Sequence, residues 1–99
     1  KIVLFDEPDV GLGGAVAEKL GEKIAQLSKS SQVLCISHLP QVASFADTHF
    51  LISKKLENGK TNISINNLSR DQRVAEIARM LSGTKVEHEA LVLARKMVR

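Results

Sequence analysis

The opening run Lys1-Ile2-Val3-Leu4-Phe5-Asp6-Glu7 constrains the fold more than any other stretch of the chain. Four apolar residues, Ile2 to Phe5, lead directly into two adjacent carboxylates, Asp6 and Glu7. An unbroken apolar run of this length predicts a strand buried on both faces, as in a parallel sheet; a half-exposed strand would alternate. The two charges must emerge where water or a partner reaches them, because a bare buried charge is costly. In open α/β sheets that end of a strand borders the ligand crevice.

The next thirty or so residues support a parallel unit. Gly11, Gly13 and Gly14 form a turn, and a helix is predicted from Ala15 to Leu27, with Val16, Leu20, Ile24 and Leu27 on its apolar face. Gln32–Ser37 reads as a second buried strand, and Pro40 suits the first turn of a short helix over Leu39–Phe45. Strand, helix and strand in this order are the mark of a parallel crossover. Ser37-His38 then emerges at the same edge as Asp6 and Glu7 if the two strands are neighbours. Such an edge suits nucleotide hydrolysis: one carboxylate takes Mg²⁺, the next orients a water, and the imidazole meets a terminal phosphate. The plain alternative, a solvated acidic turn beside a structural histidine, stays open at this point.

The second half changes character. Thr48–Leu56 and Lys60–Asn67 flank Glu57-Asn58-Gly59, and Asn-Gly predicts an antiparallel hairpin. Ser69-x-x-Gln72 reads as a capping box opening a helix to Leu81, with Val74, Ile77, Ala78 and Leu81 on one face and Gly83 as its stop. A last helix is predicted over Val86–Val98, with Leu91, Ala94 and Val98 inward.

Composition narrows the function classes. Ninety-nine residues make one small domain, 1–99, or a piece of a larger one; because Lys1 opens straight into an apolar strand, the expectation is a piece of a longer protein. Three Phe and no Trp or Tyr demand an aliphatic core. The single cysteine, Cys35, excludes an intramolecular disulfide, fits a reducing cytosol and is expected to fill core. A net charge of +3 from dispersed basic residues permits nucleic-acid contact without arguing for it. No apolar run approaches the length of a membrane span. His49, expected to face solvent from a hairpin strand, and His88 lack partners, and one Cys with three scattered His does not make a zinc site. Gly11-Leu12-Gly13-Gly14-Ala15-Val16 fails as a dinucleotide fingerprint, since Val16 takes the third glycine's place and two acids precede it. Nothing reads G-x-x-x-x-G-K-[ST], so any phosphate cradle must come from residues elsewhere.

Ile2–Glu7 resembles the Walker B strand of ABC-type ATPases, and Cys35-Ile36-Ser37-His38 resembles their switch-histidine segment. Three runs narrow the resemblance: Asp6-Glu7-Pro8-Asp9-Val10-Gly11-Leu12-Gly13-Gly14, Ser37-His38-Leu39-Pro40-Gln41-Val42-Ala43, and Glu76-Ile77-Ala78-Arg79-Met80-Leu81-Ser82-Gly83 are similar to segments of the RecN family of bacterial DNA-repair proteins. That family resembles the SMC proteins, whose two ATPase lobes are separated in sequence by a coiled coil. The resemblance implies an α/β fold, a partial P-loop NTPase head lobe of the ABC/SMC type, distal in the C-terminal lobe. It implies ATP and Mg²⁺ as cofactors, Asp6 at the metal, Glu7 polarising the attacking water and His38 at the γ-phosphate. The turn Asp9, Val10, Gly11, Leu12, Gly13 would be the D-loop that meets a partner head. Implied partners are the N-terminal lobe of the same protein, a second head in an ATP-joined homodimer, and DNA through the intact protein, in the cytoplasm at the nucleoid. Pro8 is more typical of transporter ATPases, and Gly13 stands where transporters and SMC proteins carry an aspartate. With Walker A and the signature motif missing, the chain alone is expected not to hydrolyse ATP. Two other readings remain: the ATPase of another ABC-type system such as a transporter, and a small binding module without catalysis.

Overall fold

The computed structural model describes residues 1–8, 11, 13–83 and 86–99. In chain order it consists of β1 (Ile2–Asp6), α1 (Gly14–Leu27), β2 (Gln32–Ile36), α2 (Pro40–Ala43), β3 (Phe50–Glu57), β4 (Lys60–Asn67), α3 (Arg70–Ser82) and α4 (His88–Met97). β1 and β2 pair in parallel from Ile2 opposite Gln32 to Asp6 opposite Ile36, with α1 as the crossover between them. The Glu7 N–H donates to the Ile36 carbonyl at 2.8 Å and so carries the ladder one residue past β1. β3 and β4 form a separate antiparallel pair, with Ile52 opposite Ile65 and Glu57 opposite Lys60. Asn58 (φ 50°) and Gly59 (φ 76°) are both left-handed, the backbone that a two-residue type I′ turn requires.

Only one face of the β1–β2 pair is covered. Val3, Phe5 and Val33 are half-buried, whereas Ile2 and Leu4 stand 68% and 64% exposed on the other face beside exposed Leu34 and Ile36. The expected burial on both faces therefore does not hold among the described residues, because the sheet has two strands and nothing described lies over its second face. Cys35 is likewise exposed rather than core, since among the described residues β2 has a strand neighbour on one side only.

α1 turns a different stripe inward from the one its large apolar residues predict. Ala17 and Gly21 are buried, Leu20, Ile24 and Leu27 are half-buried, and Val16 is exposed. The cause is a close approach by the α2 segment: a Cβ placed on Gly21 would meet Phe45 Cδ2 at 2.5 Å and the Gln41 carbonyl oxygen at 3.0 Å. Small residues four apart let the two segments touch, and the bulkier side chains flank the contact.

The principal core lies between α3 and α4, where Val74, Ile77, Ala78, Ala94 and Val98 are buried and Met80, Leu81, Leu91 and Met97 pack around them. α3 opens with the expected capping box, in which Ser69 Oγ accepts from the Gln72 N–H at 3.3 Å and Gln72 Oε1 accepts from the Ser69 N–H at 2.8 Å. It ends at Gly83, whose φ of 79° is left-handed and whose N–H donates to the Arg79 carbonyl at 2.7 Å. α4 begins at His88, two residues later than its periodicity predicts, and Val86 is exposed.

A polar cluster lies beside this core. Arg73 is 6% exposed; its Nη2 donates to the Ala46 carbonyl at 2.7 Å and its Nη1 to the Arg99 carbonyl at 2.9 Å. Buried Glu76 accepts both arms of Arg79, at 2.6 and 2.8 Å. His49 contradicts its expected place: it precedes β3 and is half-buried, with Nδ1 out of contact with water, while its carbonyl accepts the Leu68 N–H at 2.9 Å and closes the base of the hairpin. Burial, and then the neighbouring Arg73 cation, hold the His49 imidazole below its ordinary pKa, although Glu76 pulls the other way.

This packing has measurable consequences for stability. Gly21→Ala gains helix propensity of up to about 1 kcal/mol but overpacks the contact by about 1–3 kcal/mol, so urea unfolding is expected to show a net loss of about 1–2 kcal/mol. The fold holds the His49 imidazole below its ordinary pKa, while the unfolded chain takes up its proton near the ordinary value of 6.5. Below that pH the unfolded state binds more protons, so the stability contributed by neutral His49 is present above about 6.5 and is lost as pH falls through the lower folded value. Urea midpoints measured between pH 7.5 and 5 are expected to fall with acidification, and less steeply in His49→Asn.

Candidate functional site

Parallel pairing sends the C-terminal ends of β1 and β2 to one edge, and there the predicted residues meet. Asp6 is the last residue of β1 and is exposed, on the same side of the strand as Leu4 by the two-residue alternation. Glu7 follows with φ of 47°. This is an unusual conformation for a non-glycine residue, and doubly so before Pro8, since a residue preceding proline is ordinarily extended. Backbone held in such a region clusters at functional positions because the surrounding structure must sustain it. Here the sustaining contact is the Glu7 N–H on the Ile36 carbonyl.

On β2, the chain leaves the ladder at Ile36 and turns at once. Ser37 Oγ accepts the Leu39 N–H at 3.1 Å, Leu39 caps α2, and Pro40 occupies its first turn with its fixed φ. The turn presents His38 toward β1: His38 Nδ1 lies 3.8 Å from Glu7 Oε1. That separation exceeds a hydrogen bond, and a single water can bridge the two groups, accepting from the imidazole N–H and donating to the carboxylate. Both side chains are more than half exposed, 62% for His38 and 52% for Glu7, so their mutual attraction adds little stability. Chemically, the edge offers a carboxylate to accept a proton from water, an imidazole to donate to an anion and a second carboxylate, Asp6, as a single hard-metal ligand. Among the described residues no group of three or more His, Cys, Asp or Glu could by itself hold a metal ion. One carboxylate with waters and phosphate oxygens suits Mg²⁺, which favours that set over an all-protein cage.

Of the expected partner-facing turn, Gly11 is exposed with φ of 81°, and Gly13 is the exposed, extended N-cap of α1. Asp9, Val10 and Leu12 lie outside the described residues. His88 is exposed at the start of α4. The sequence reading missed Arg73; its signal was a cation at the position four before Ile77 on an otherwise apolar helix stripe. Among the described residues no helix is long and apolar enough to cross a membrane.

No protein-family model matches the chain. Individual proteins do. The DNA repair protein RecN of Bacillus subtilis (strain 168) is 51% identical over 84 residues, which are 85% of this chain and 15% of that protein. RecN of Xylella fastidiosa (strain 9a5c) is 44% identical over 96 residues, 97% of this chain and 17% of that protein. RecN of Vibrio cholerae is 38% identical over the same share of the chain. The chain thus spans about one sixth of the length of these curated relatives. A solved chain from structural work on ATP-driven dimerization and DNA-stimulated activation of SMC ATPases superposes with a TM-score of 0.61. It covers 85% of this chain and 49% of its own length at 23% identity. This chain accordingly shares its α/β fold with part of that solved chain, and its sequence is similar to RecN proteins over nearly its whole length.

Proposed function

We propose that this chain supplies the water-activating edge of an ATP-hydrolysing head in a protein that acts in DNA double-strand-break repair and recombination. The observation that carries the reading is the meeting of Glu7 and His38 across 3.8 Å where β1 and β2 end in parallel beside Asp6. Its similarity to RecN proteins supports repair over transport as the setting.

In this reading Asp6 would hold Mg²⁺, and the metal when bound would neutralise charge on the phosphates of ATP. The Glu7 carboxylate orients the attacking water and accepts its proton. His38 donates to the terminal phosphoryl oxygens as charge builds there. Catalysis is positioning and electrostatic stabilisation more than covalent chemistry. Walker A and the signature motif belong to the rest of the intact protein, so its N-terminal lobe and a second head are the partners that complete the site, with the segment of Gly11 and Gly13 meeting that head. DNA is engaged by the intact protein in the cytoplasm.

The test is made in the intact protein. Glu7→Gln is expected to bind ATP as the wild type does and to lose about 10²–10⁴-fold in turnover, the range a positioned general base contributes. Equilibrium dialysis and phosphate release measure the two quantities. Turnover at the wild-type rate in this variant would overturn the reading. The 99-residue chain assayed alone is expected to release no phosphate.

A further inference from the structure

We infer that Arg73 is a positioning residue for His38. The inference rests on the role proposed for His38 at the terminal phosphate. From His38 the chain runs into a single hydrogen-bonded coil: Ala43 N–H donates to the Leu39 carbonyl, Ser44 to Pro40, Phe45 to Val42 and Ala46 to Ala43, at 3.0 to 3.1 Å. Pro40, Val42 and Ser44 are buried along it. The coil is thus a short rigid lever with His38 at one end and Ala46 at the other.

The far end is gripped from α3. Arg73 Nη2 donates to the Ala46 carbonyl at 2.7 Å, and Nη1 donates to the Arg99 carbonyl at 2.9 Å. The Arg99 N–H in turn donates to the Ser44 carbonyl at 3.2 Å, closing a ring of bonds around the end of the lever. A planar guanidinium fixes both carbonyls in one geometry, which the point charge of a lysine does not reproduce. The placement is costly as well: Arg73 is 6% exposed, and the neighbouring Glu76 carboxylate is taken up by Arg79. Burying a cation for packing alone is inferior to an apolar side chain of similar volume, so what Arg73 adds is a fixed arrangement of the elements it joins. The element it joins to the α3–α4 core is the one that carries His38.

Small displacements of a group that must meet a phosphoryl oxygen are expensive in rate. In the intact protein, Arg73→Gln is expected to leave ATP affinity within about twofold and to lower kcat by about 10- to 100-fold. Arg73→Lys is expected to recover part of that loss, because one ammonium reaches one of the two carbonyls. Combined with His38→Ala, Arg73→Gln is expected to lower the residual kcat no further, since there is no imidazole left to misplace. Thermal unfolding establishes that each variant is folded at the assay temperature; if Arg73→Gln is not, Arg73→Lys alone and combined with His38→Ala carries the same comparison. An unchanged kcat in a folded variant, or an equal further loss in the His38→Ala background, overturns the positioning role. Glu7→Gln in the same assay separates the two ideas. If it turns over ATP like the wild type, the hydrolytic reading fails and takes this inference with it. If it is inactive while the Arg73 variants behave as in the overturning cases, the positioning role alone falls.

Discussion

The parallel pairing of β1 with β2 is the constraint on which the rest of this structure depends. Parallel strands point their C-terminal ends to the same edge, so two residues about thirty positions apart in sequence become neighbours without any long-range search of side-chain geometry. The register then sets the distance. Asp6 stands opposite Ile36, the Glu7 N–H bonds the Ile36 carbonyl, and His38 emerges two residues after that carbonyl. A one-residue slip would send Glu7 away from His38 and turn the strand's apolar residues to the opposite face, which is the sense in which sheet register is a chemical specification as well as a structural one.

Around that edge the chain divides its packing into two contacts of different kind. Between α1 and the α2 segment the contact is close because Ala17 and Gly21 are small, and the ring of Phe45 lies in the room that Gly21 leaves. Between α3 and α4 it is an ordinary aliphatic core built on Ile77. Arg73 bridges the two, and His49 sits where the bridge meets the hairpin. The His38 turn is therefore supported from behind by packed and hydrogen-bonded structure, while its front, with Glu7 and Asp6, stays exposed to whatever binds there.

What the sequence disclosed was what is decided locally. The β1 run ended where Asp6 begins to need solvent, Asn58-Gly59 had the backbone freedom of one turn type, and Ser69 with Gln72 satisfied the donors of a helix end within four residues. Each was legible because its partner is adjacent in sequence. The inward face of α1 was not, since apolar size pointed to Val16 and the steric demand of Phe45 selected Ala17 and Gly21 instead. Burial of β1 and of Cys35 was misjudged for a related reason: an apolar run reports what a strand is fit to contact, and the contacts themselves depend on what lies beside it. His49 and Arg73 escaped because their environment is assembled from α2, the hairpin base, α3 and the segment after α4. At the candidate site, Glu7 and His38 could be paired in advance because strand order alone implied it, whereas the left-handed backbone at Glu7 could not, because Pro8 argues for an extended one.

The exposed apolar faces and the lack of a G-x-x-x-x-G-K-[ST] run in the sequence have a common physical reading. Ile2, Leu4, Leu34 and Ile36 on one sheet, and Phe50, Ile52, Leu56, Ile63 and Ile65 on the other, are large apolar side chains left exposed, the kind of surface that suits contact with a partner. The solved SMC-type head that this chain matches is about twice the length that the match covers. On the proposed reading the division is functional as well as structural. On that reading this chain holds Glu7, which orients the water, and His38, which meets the terminal phosphate, and another part of the intact protein holds the backbone that grips the phosphates. The water-orienting carboxylate and the phosphate grip, on the same reading, lie in different parts of the intact protein, so hydrolysis begins only when they are brought together and turnover reports the state of assembly.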